Sequence, residues 1–265
     1  SREKRDGRRR AYPLAAAFCY PSLYRITNTS NSTHRMKKLV ILTGAGMSAE
    51  SGISTFRDSN GLWENYRVED VATPEGFARN PQLVLDFYNA RRRELLRAEP
   101  NDGHRGLAAL EHDFDVRIVT QNVDNLHERA GSSHVIHLHG ELMKACSERN
   151  LNRPIDIDPD APDMRLGDTA PDGGRLRPFI VWFGEPVPMI EEAIRIVSDC
   201  DLFAVIGTSL NVYPAAGLLS YVRRGQPIFL IDPKEVAVYR NDVEFIRCGA
   251  SEGVRILTDR LQAFR

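Results

Sequence analysis

The feature that most constrains this chain is an apolar strand that runs directly into a glycine turn. Leu39-Val40-Ile41-Leu42 is short, rich in β-branched residues and without polar alternation. Such a run reads as a strand buried on both faces, as in a parallel sheet covered by helices. Thr43-Gly44-Ala45-Gly46-Met47-Ser48-Ala49 follows at once. Gly44-x-Gly46-x-x-Ala49 fits the dinucleotide fingerprint with alanine in third place. Its glycines permit a tight turn and a close approach of backbone to pyrophosphate, with the anion at a helix N-terminus. A plain strand-to-helix turn is the competing reading of the same residues.

Three further runs have the same character: Val116–Thr120, Leu202–Ile206 and Ile228–Ile231. Helical patterns fall between them at Pro81–Ala98, Gly103–His112, Ile190–Ser198 and Ala215–Arg223. Alternation of this kind predicts an α/β fold, a doubly wound Rossmann-like parallel sheet, with ligands at the carboxyl ends of the strands. Two segments break the rhythm. Residues 67–103 are helical without a strand, and residues 146–177 are rich in Pro, Asp, Gly and Arg and lack clear periodicity. Both are expected to form a smaller inserted lobe. The dinucleotide-binding domain is then expected from 36–66, 104–145 and 178–265.

The net charge of −1 hides an asymmetry. Residues 1–35 carry eight Lys/Arg against two acids, a net of +6 that leaves −7 for the remainder. A mildly acidic body is a poor grip for a phosphate backbone, so no nucleic-acid partner is expected. No run of 18 apolar residues occurs, so no membrane span is expected either. Residues 1–35 read as a leader outside the fold, because Met36-Lys37-Lys38 precedes the first strand. An Arg-rich, acid-poor transit peptide is a second reading, and a secretory signal interrupted by Pro13 a third. The four cysteines, Cys19, Cys146, Cys200 and Cys248, form no CxxC. They argue against a disulfide scaffold and a zinc ribbon and fit a reducing compartment. The expectation is a cytoplasmic monomer, or a mitochondrial protein if the leader is a transit peptide.

The chemistry-bearing residues cluster after the strands. Gly52-Ile53-Ser54-Thr55-Phe56-Arg57-Asp58 and Gly61-Leu62-Trp63 suggest a lid over a ligand, and no acid closes a second strand about 20 residues on as a dehydrogenase requires. Thr120-Gln121-Asn122-Val123-Asp124-Asn125-Leu126-His127 puts amides and a carboxylate where they can bond a carboxamide and ribose hydroxyls. His137-Leu138-His139-Gly140 follows, offering an imidazole suited to general-base work. Val181-Trp182-Phe183-Gly184-Glu185 and Gly207-Thr208-Ser209 come later, and Asp232 ends the fourth apolar run, a place where a carboxylate meets an adenosine ribose.

GAGMSAESGISTFRDSNGLW, TQNVDNLH, HLHG, VWFGE and GTS stand in the order found in the sirtuins, the NAD-dependent protein-lysine deacylases, and the resemblance spans about Met36 to Leu261. It implies that NAD is consumed as a co-substrate. Gly44, Ala45, Gly46, Ser48, Phe56, Arg57 and Trp63 would hold its phosphates and nicotinamide ribose. Gln121, Asn122 and Asp124 would hold the nicotinamide end, and Gly207, Thr208, Ser209, Asp232 and Ala250 the adenosine side. His139, with Asn122, would be catalytic. His139 would activate a ribose hydroxyl after the acyl oxygen has displaced nicotinamide, so that the products are free lysine, nicotinamide and O-acyl-ADP-ribose. Val181, Phe183 and Gly184 resemble the strand that pairs with the substrate backbone.

Two departures and one refinement accompany this resemblance. Most sirtuins hold a zinc with two CxxC pairs, whereas this chain has only Cys146 in that region and no histidine after His139, so no metal is expected. Asp232 stands where the family usually has Asn; a carboxylate accepts from a hydroxyl but cannot donate. Tyr88 and Arg91 lie three apart, hence on one helix face. They resemble the Tyr-x-x-Arg of sirtuins that prefer succinyl and malonyl groups, whose carboxylate an Arg fork binds in bidentate fashion. The competing reading takes Arg91-Arg92-Arg93 as a solvated basic face answering Glu94. The rival functions are a protein ADP-ribosyltransferase and a non-catalytic NAD- or ADP-ribose-binding module.

Overall fold

The computed structural model describes residues 35–53 and 66–265. The expectations for residues 1–34, and for Phe56, Arg57 and Trp63, lie outside the described residues. Met36–Arg265 forms one compact unit.

Its centre is a six-stranded parallel sheet of β1 (Lys38–Thr43), β2 (Asp115–Thr120), β3 (Val135–His137), β7 (Leu202–Ile206), β8 (Ile228–Ile231) and β9 (Val243–Ile246). The spatial order is β3-β2-β1-β7-β8-β9. That is the 3-2-1-4-5-6 arrangement of a doubly wound nucleotide-binding sheet, and the strand order reverses between β1 and β7. Leu39–Leu42 of β1 and Phe203–Ile206 of β7 are wholly buried. Each Val, Leu, Ile or Phe side chain among them contributes roughly 1.5–3 kcal/mol of transfer energy. One face packs Leu39 and Ile41 against α4 (Asp102–Ala109) and α7 (Ala250–Leu261). The other packs Val40 and Leu42 against α6 (Ile190–Ser198) and the Ala215–Tyr221 segment.

All four apolar runs are strands of this sheet, and β7 and β8 begin and end where the sequence pattern does. β3 and β9 have no such signal, being three- and four-residue edge strands with partly exposed faces. Ala215–Tyr221 is a 3₁₀ rather than an α-helix.

A third core, of Phe77, Phe87, Tyr88, Leu142 and Trp182, joins α1 (Val68–Val71), α2 (Pro74–Arg79) and α3 (Pro81–Arg97) to the strands Gly140–Ser147 and Leu176–Ile180. Thr73 and Asn80 start α2 and α3 by accepting the Gly76 and Leu83 N–H groups, each ahead of a proline at the first helical position. Residues 146–177, which lack periodicity, nevertheless contain strand. β4 (Gly140–Ser147), β5 (Asn150–Asp156) and β6 (Leu176–Ile180) make an antiparallel sheet in the order β5-β4-β6. β5 is exposed along most of its length, which removes the apolar alternation that would have marked it. β4 and β6 reach beyond that segment, to Gly140 and Ile180. Among the described residues, no helix is long and apolar enough to cross a membrane.

Candidate active site

The glycine turn after β1 packs on the turn after β7. Gly46 N–H donates to the Gly207 carbonyl at 2.8 Å and Gly44 N–H to the Ile206 carbonyl at 3.0 Å. A Cβ on Gly46 would come within 2.7 Å of the Gly207 Cα, and Gly207 itself has φ +64. The glycines are therefore required by the approach of two loops of this chain. The element after β1 also departs from the fingerprint: it is two short 3₁₀ turns, Ala45–Met47 and Ala49–Ser51, not the N-terminus of a long α-helix. The helix N-terminus nearby is that of α7, which begins at the buried Ala250; Glu50 accepts the Ser251 N–H there at 3.1 Å.

The amide loop after β2 closes against the same turn. Asn122 is buried, and its Nδ2 donates to the Gly44 carbonyl at 3.1 Å and to Ser48 Oγ at 3.2 Å. A carbonyl only accepts, so the amide orientation is fixed and Oδ1 is left as the acceptor. Ser48 Oγ donates to Asp124 Oδ2 at 2.9 Å, and the Leu126 N–H donates to Oδ1 at 3.1 Å. Burial raises the Asp124 pKa, and these two bonds oppose the rise. Gln121 reaches across the crevice, Nε2 to Thr208 Oγ1, at 3.0 Å.

His139 and His137 differ in state. His139 Nδ1 lies 3.1 Å from the Gln121 carbonyl and must carry the proton, so Nε2 of the neutral ring holds the free lone pair. Burial lowers its pKa, with the carbonyl bond opposing. His137 Nδ1 donates to the Asn122 carbonyl at 3.0 Å, while Nε2 meets Glu128 Oε1 at 2.7 Å. Both ring nitrogens face acceptors, which is the arrangement of an imidazolium. Burial opposes that charge, but Glu128 outweighs it and raises the His137 pKa, while His137 lowers that of Glu128. A third layer lies beneath. His127 Nε2 meets Thr43 Oγ1 at 3.0 Å, and His104 packs edge-on to His127 at 4.8 Å. Burial lowers the pKa of both, that of His104 to about 4.

Tyr88 and Arg91 share one face of α3. Tyr88 is 1 % exposed and accepts from Trp182 Nε1 at 3.0 Å, and burial pushes its phenol up to about 12. Arg91 is half-buried, sits 5.7 Å from the Phe87 ring centre, and lies in the field of Tyr88, Glu94 and Asp124. Burial lowers its pKa. The three successive arginines are not one solvated face. Arg92 is fully buried, donating to Asn89 Oδ1 and the Pro162 carbonyl, and only Arg93 is exposed, paired with Asp163.

Val181–Gly184 follows β6 but is a turn, not a strand. The Val181 and Phe183 N–H groups donate to the His139 and Ala72 carbonyls, each at 3.0 Å. The Phe183 side chain is 49 % exposed, beside Gly184 at φ +91. Thr208 is buried, Ser209 half-buried, and Asp232 is buried with Oδ1 accepting the Lys234 N–H at 2.8 Å. Sequence reasoning missed Glu128 as the partner of His137 and Arg177 as the group stacked on Trp182; both are recognisable only from the contacts the fold makes.

Among the described residues no group of three or more His, Cys, Asp or Glu side chains gathers as for a metal ion. The far end of the small sheet is tied by hydrogen bonds. Asp172 Oδ1 accepts from Ser147 Oγ at 2.8 Å and from Gly174 N–H at 2.9 Å, and Arg149 Nη1 donates to the Asp172 carbonyl at 2.9 Å.

Residues 44–214 match the Sir2 family model. A protein of Bacteroides thetaiotaomicron named NAD-dependent protein deacylase is 60 % identical over 230 residues, 85 % of this chain and 98 % of its own length. The crystal structure of a Sir2 homologue–NAD complex superposes with a TM-score of 0.77 at 39 % identity, covering 87 % of this chain and 91 % of that one. A Sir2 structure with a deacetylated p53 peptide and 3′-O-acetyl ADP-ribose gives a TM-score of 0.70 at 31 % identity, covering 85 % and 94 %.

Proposed function

This chain belongs to the Sir2 family and is an NAD-dependent protein deacylase, and we propose that it acts on acylated lysine side chains and removes succinyl and malonyl groups as well as acetyl. The observation that carries the acidic preference is the Tyr88–Arg91 pair on one face of α3, with Arg91 in the field of both Tyr88 and Asp124. A guanidinium fork and a phenol O–H at that point suit the terminal carboxylate of an acidic acyl group.

The residues of the crevice fit NAD by their donor set. Asp124 uses one acceptor site on each oxygen, and a carboxylate has about four. Asn122 presents Oδ1. Together they can accept both N–H groups of a carboxamide. In this reading the Gly44–Ser48 turn and Gly207–Ser209 flank the phosphates and adenosine. Phe56, Arg57 and Trp63 complete the cofactor contacts in this reading, and Asp232 and Ala250 take the far ribose and base. When bound, NAD supplies a ribose carbon that nicotinamide leaves and the acyl oxygen joins. The chain's part is to hold, exclude water and move one proton. His139, neutral at physiological pH and oriented by the Gln121 carbonyl, takes a ribose hydroxyl proton at Nε2. Val181, Phe183 and Gly184 present the substrate chain. The Val181 and Phe183 N–H groups are already committed, so their carbonyls make the main-chain bonds.

The test is incubation with NAD and matched acetyl- and succinyl-lysine peptides, read by mass spectrometry. Both peptides are deacylated only with NAD, His139→Ala slows both reactions by orders of magnitude, and Arg91→Met selectively removes the succinyl reaction. Succinyl turnover undiminished in Arg91→Met sinks the acyl assignment. Label passing from NAD to protein without acyl-ADP-ribose would mean a transferase.

A further inference from the structure

We propose that Trp182 is a positioning residue for acidic-acyl specificity, acting through Tyr88; this rests on the acidic-acyl reading above. An indole N–H can only donate, so in the 3.0 Å contact between Trp182 Nε1 and the Tyr88 hydroxyl, the phenol oxygen is the acceptor. One lone pair of that oxygen is thereby used, and the phenolic proton is turned away from Trp182. Tyr88 is thus set as a donor toward whatever the α3 face meets. Burial favours the same outcome, since it keeps the phenol protonated. A donor suits a carboxylate; an acetyl methyl has no use for it.

The Trp182 ring is itself held from several sides. The Arg177 guanidinium stacks 3.6 Å from its ring centre, and Phe77 lies at 5.2 Å. Arg177 is bidentate to Glu185 at 2.6 and 3.0 Å, and Glu185 accepts the Trp182 main-chain N–H at 2.8 Å. Arg177 and Glu185 are both largely buried, so this clamp is little screened by water. It connects the Val181–Gly184 turn proposed to carry the substrate backbone with the hydroxyl proposed to read the acyl tip. An apolar phenyl ring at position 182 would fill most of the same space but leave the Tyr88 hydroxyl free to turn.

The experiment compares kcat/KM for succinyl and acetyl peptides in wild type, Trp182→Phe, Tyr88→Phe and the double variant. Trp182→Phe is expected to lower the succinyl-to-acetyl ratio of kcat/KM about tenfold, the worth of one well-made hydrogen bond, chiefly through the succinyl KM. The double variant is expected to be no worse on succinyl than Tyr88→Phe alone, because the two residues act in series. Trp182→Leu, which likewise carries no polar hydrogen, replaces Phe if the melting temperature shows that Phe loosens the fold. An unchanged succinyl-to-acetyl ratio in a wild type that removes both groups overturns this inference alone, as do additive losses in the double variant. A wild type inactive on the succinyl peptide overturns the acidic-acyl reading and this inference together.

Discussion

His137 and His139 stand two residues apart and each turns Nδ1 to a carbonyl of the same loop, Asn122 at 3.0 Å and Gln121 at 3.1 Å, yet only His137 meets a carboxylate on its other nitrogen. Glu128 therefore divides the pair. One imidazole is held charged as a strut, and the other is kept neutral with a lone pair to offer.

The pH profile should report this division. His139 has its pKa lowered, so its base form persists below the usual histidine range near 6.5. The acid limb of kcat/KM is expected to fall below pH 6.5, and His139→Ala should cost on the order of 10²–10⁴-fold. An acid limb centred above pH 7 would assign the base to another group.

The Glu128–His137 pair makes a stability prediction with a defined sign. A raised histidine pKa contributes stability that is present below about pH 6.5 and lost as pH rises through the folded value. The lowered Glu128 pKa adds stability above about 4.5 that is lost on acidification. Glu128→Gln should therefore lower the melting temperature most between about pH 4.5 and 6.5, with the difference shrinking toward pH 9. The cost should not exceed about 1 kcal/mol, because Glu128 is 40 % exposed and screened. A pH-independent difference would mean a packing effect only.

Gly207→Ala should damage both fold and cofactor binding. Positive φ alone costs an L-residue about 1–2 kcal/mol, and the new Cβ would collide with Gly46. Thermal-shift titration with NAD is expected to show a lower starting melting temperature and a weakened or absent NAD response. Normal NAD stabilisation in this variant would mean that the two loops do not need their close approach.

The small sheet should tolerate chelators. Incubation with EDTA or phenanthroline is expected to leave melting temperature and deacylase activity unchanged, while Asp172→Ala lowers the melting temperature and exposes residues 149–175 to protease. Loss of activity with EDTA, restored by zinc, would overturn the hydrogen-bonded account of this lobe.

The sequence by itself determined the large sheet and most of the crevice. Leu39–Leu42 and Leu202–Ile206 must lie between two apolar layers, because nothing along them tolerates water, and a chain of such runs separated by helices has few ways to fold. The crevice residues stand directly after those strands, so the place of Gly46, Asn122, Asp124 and Thr208 in the fold was legible from position alone. The small sheet was not, since β5 is exposed on both faces and carries no alternation.

Only the tertiary structure decided the state of each group. His137 and His139 are alike in the string HLHG until Glu128 is folded against one of them. Arg91, Arg92 and Arg93 are one basic run until α3 docks, when Arg92 becomes buried against Asn89 and the Pro162 carbonyl while Arg93 stays outside. Tyr88 and Trp182 are 94 residues apart, and their hydrogen bond exists only because α3 and the turn after β6 share one core. Apolar pattern is a local property and survives in the sequence. Protonation, donor direction and desolvation are properties of neighbours, and neighbours are supplied by the fold.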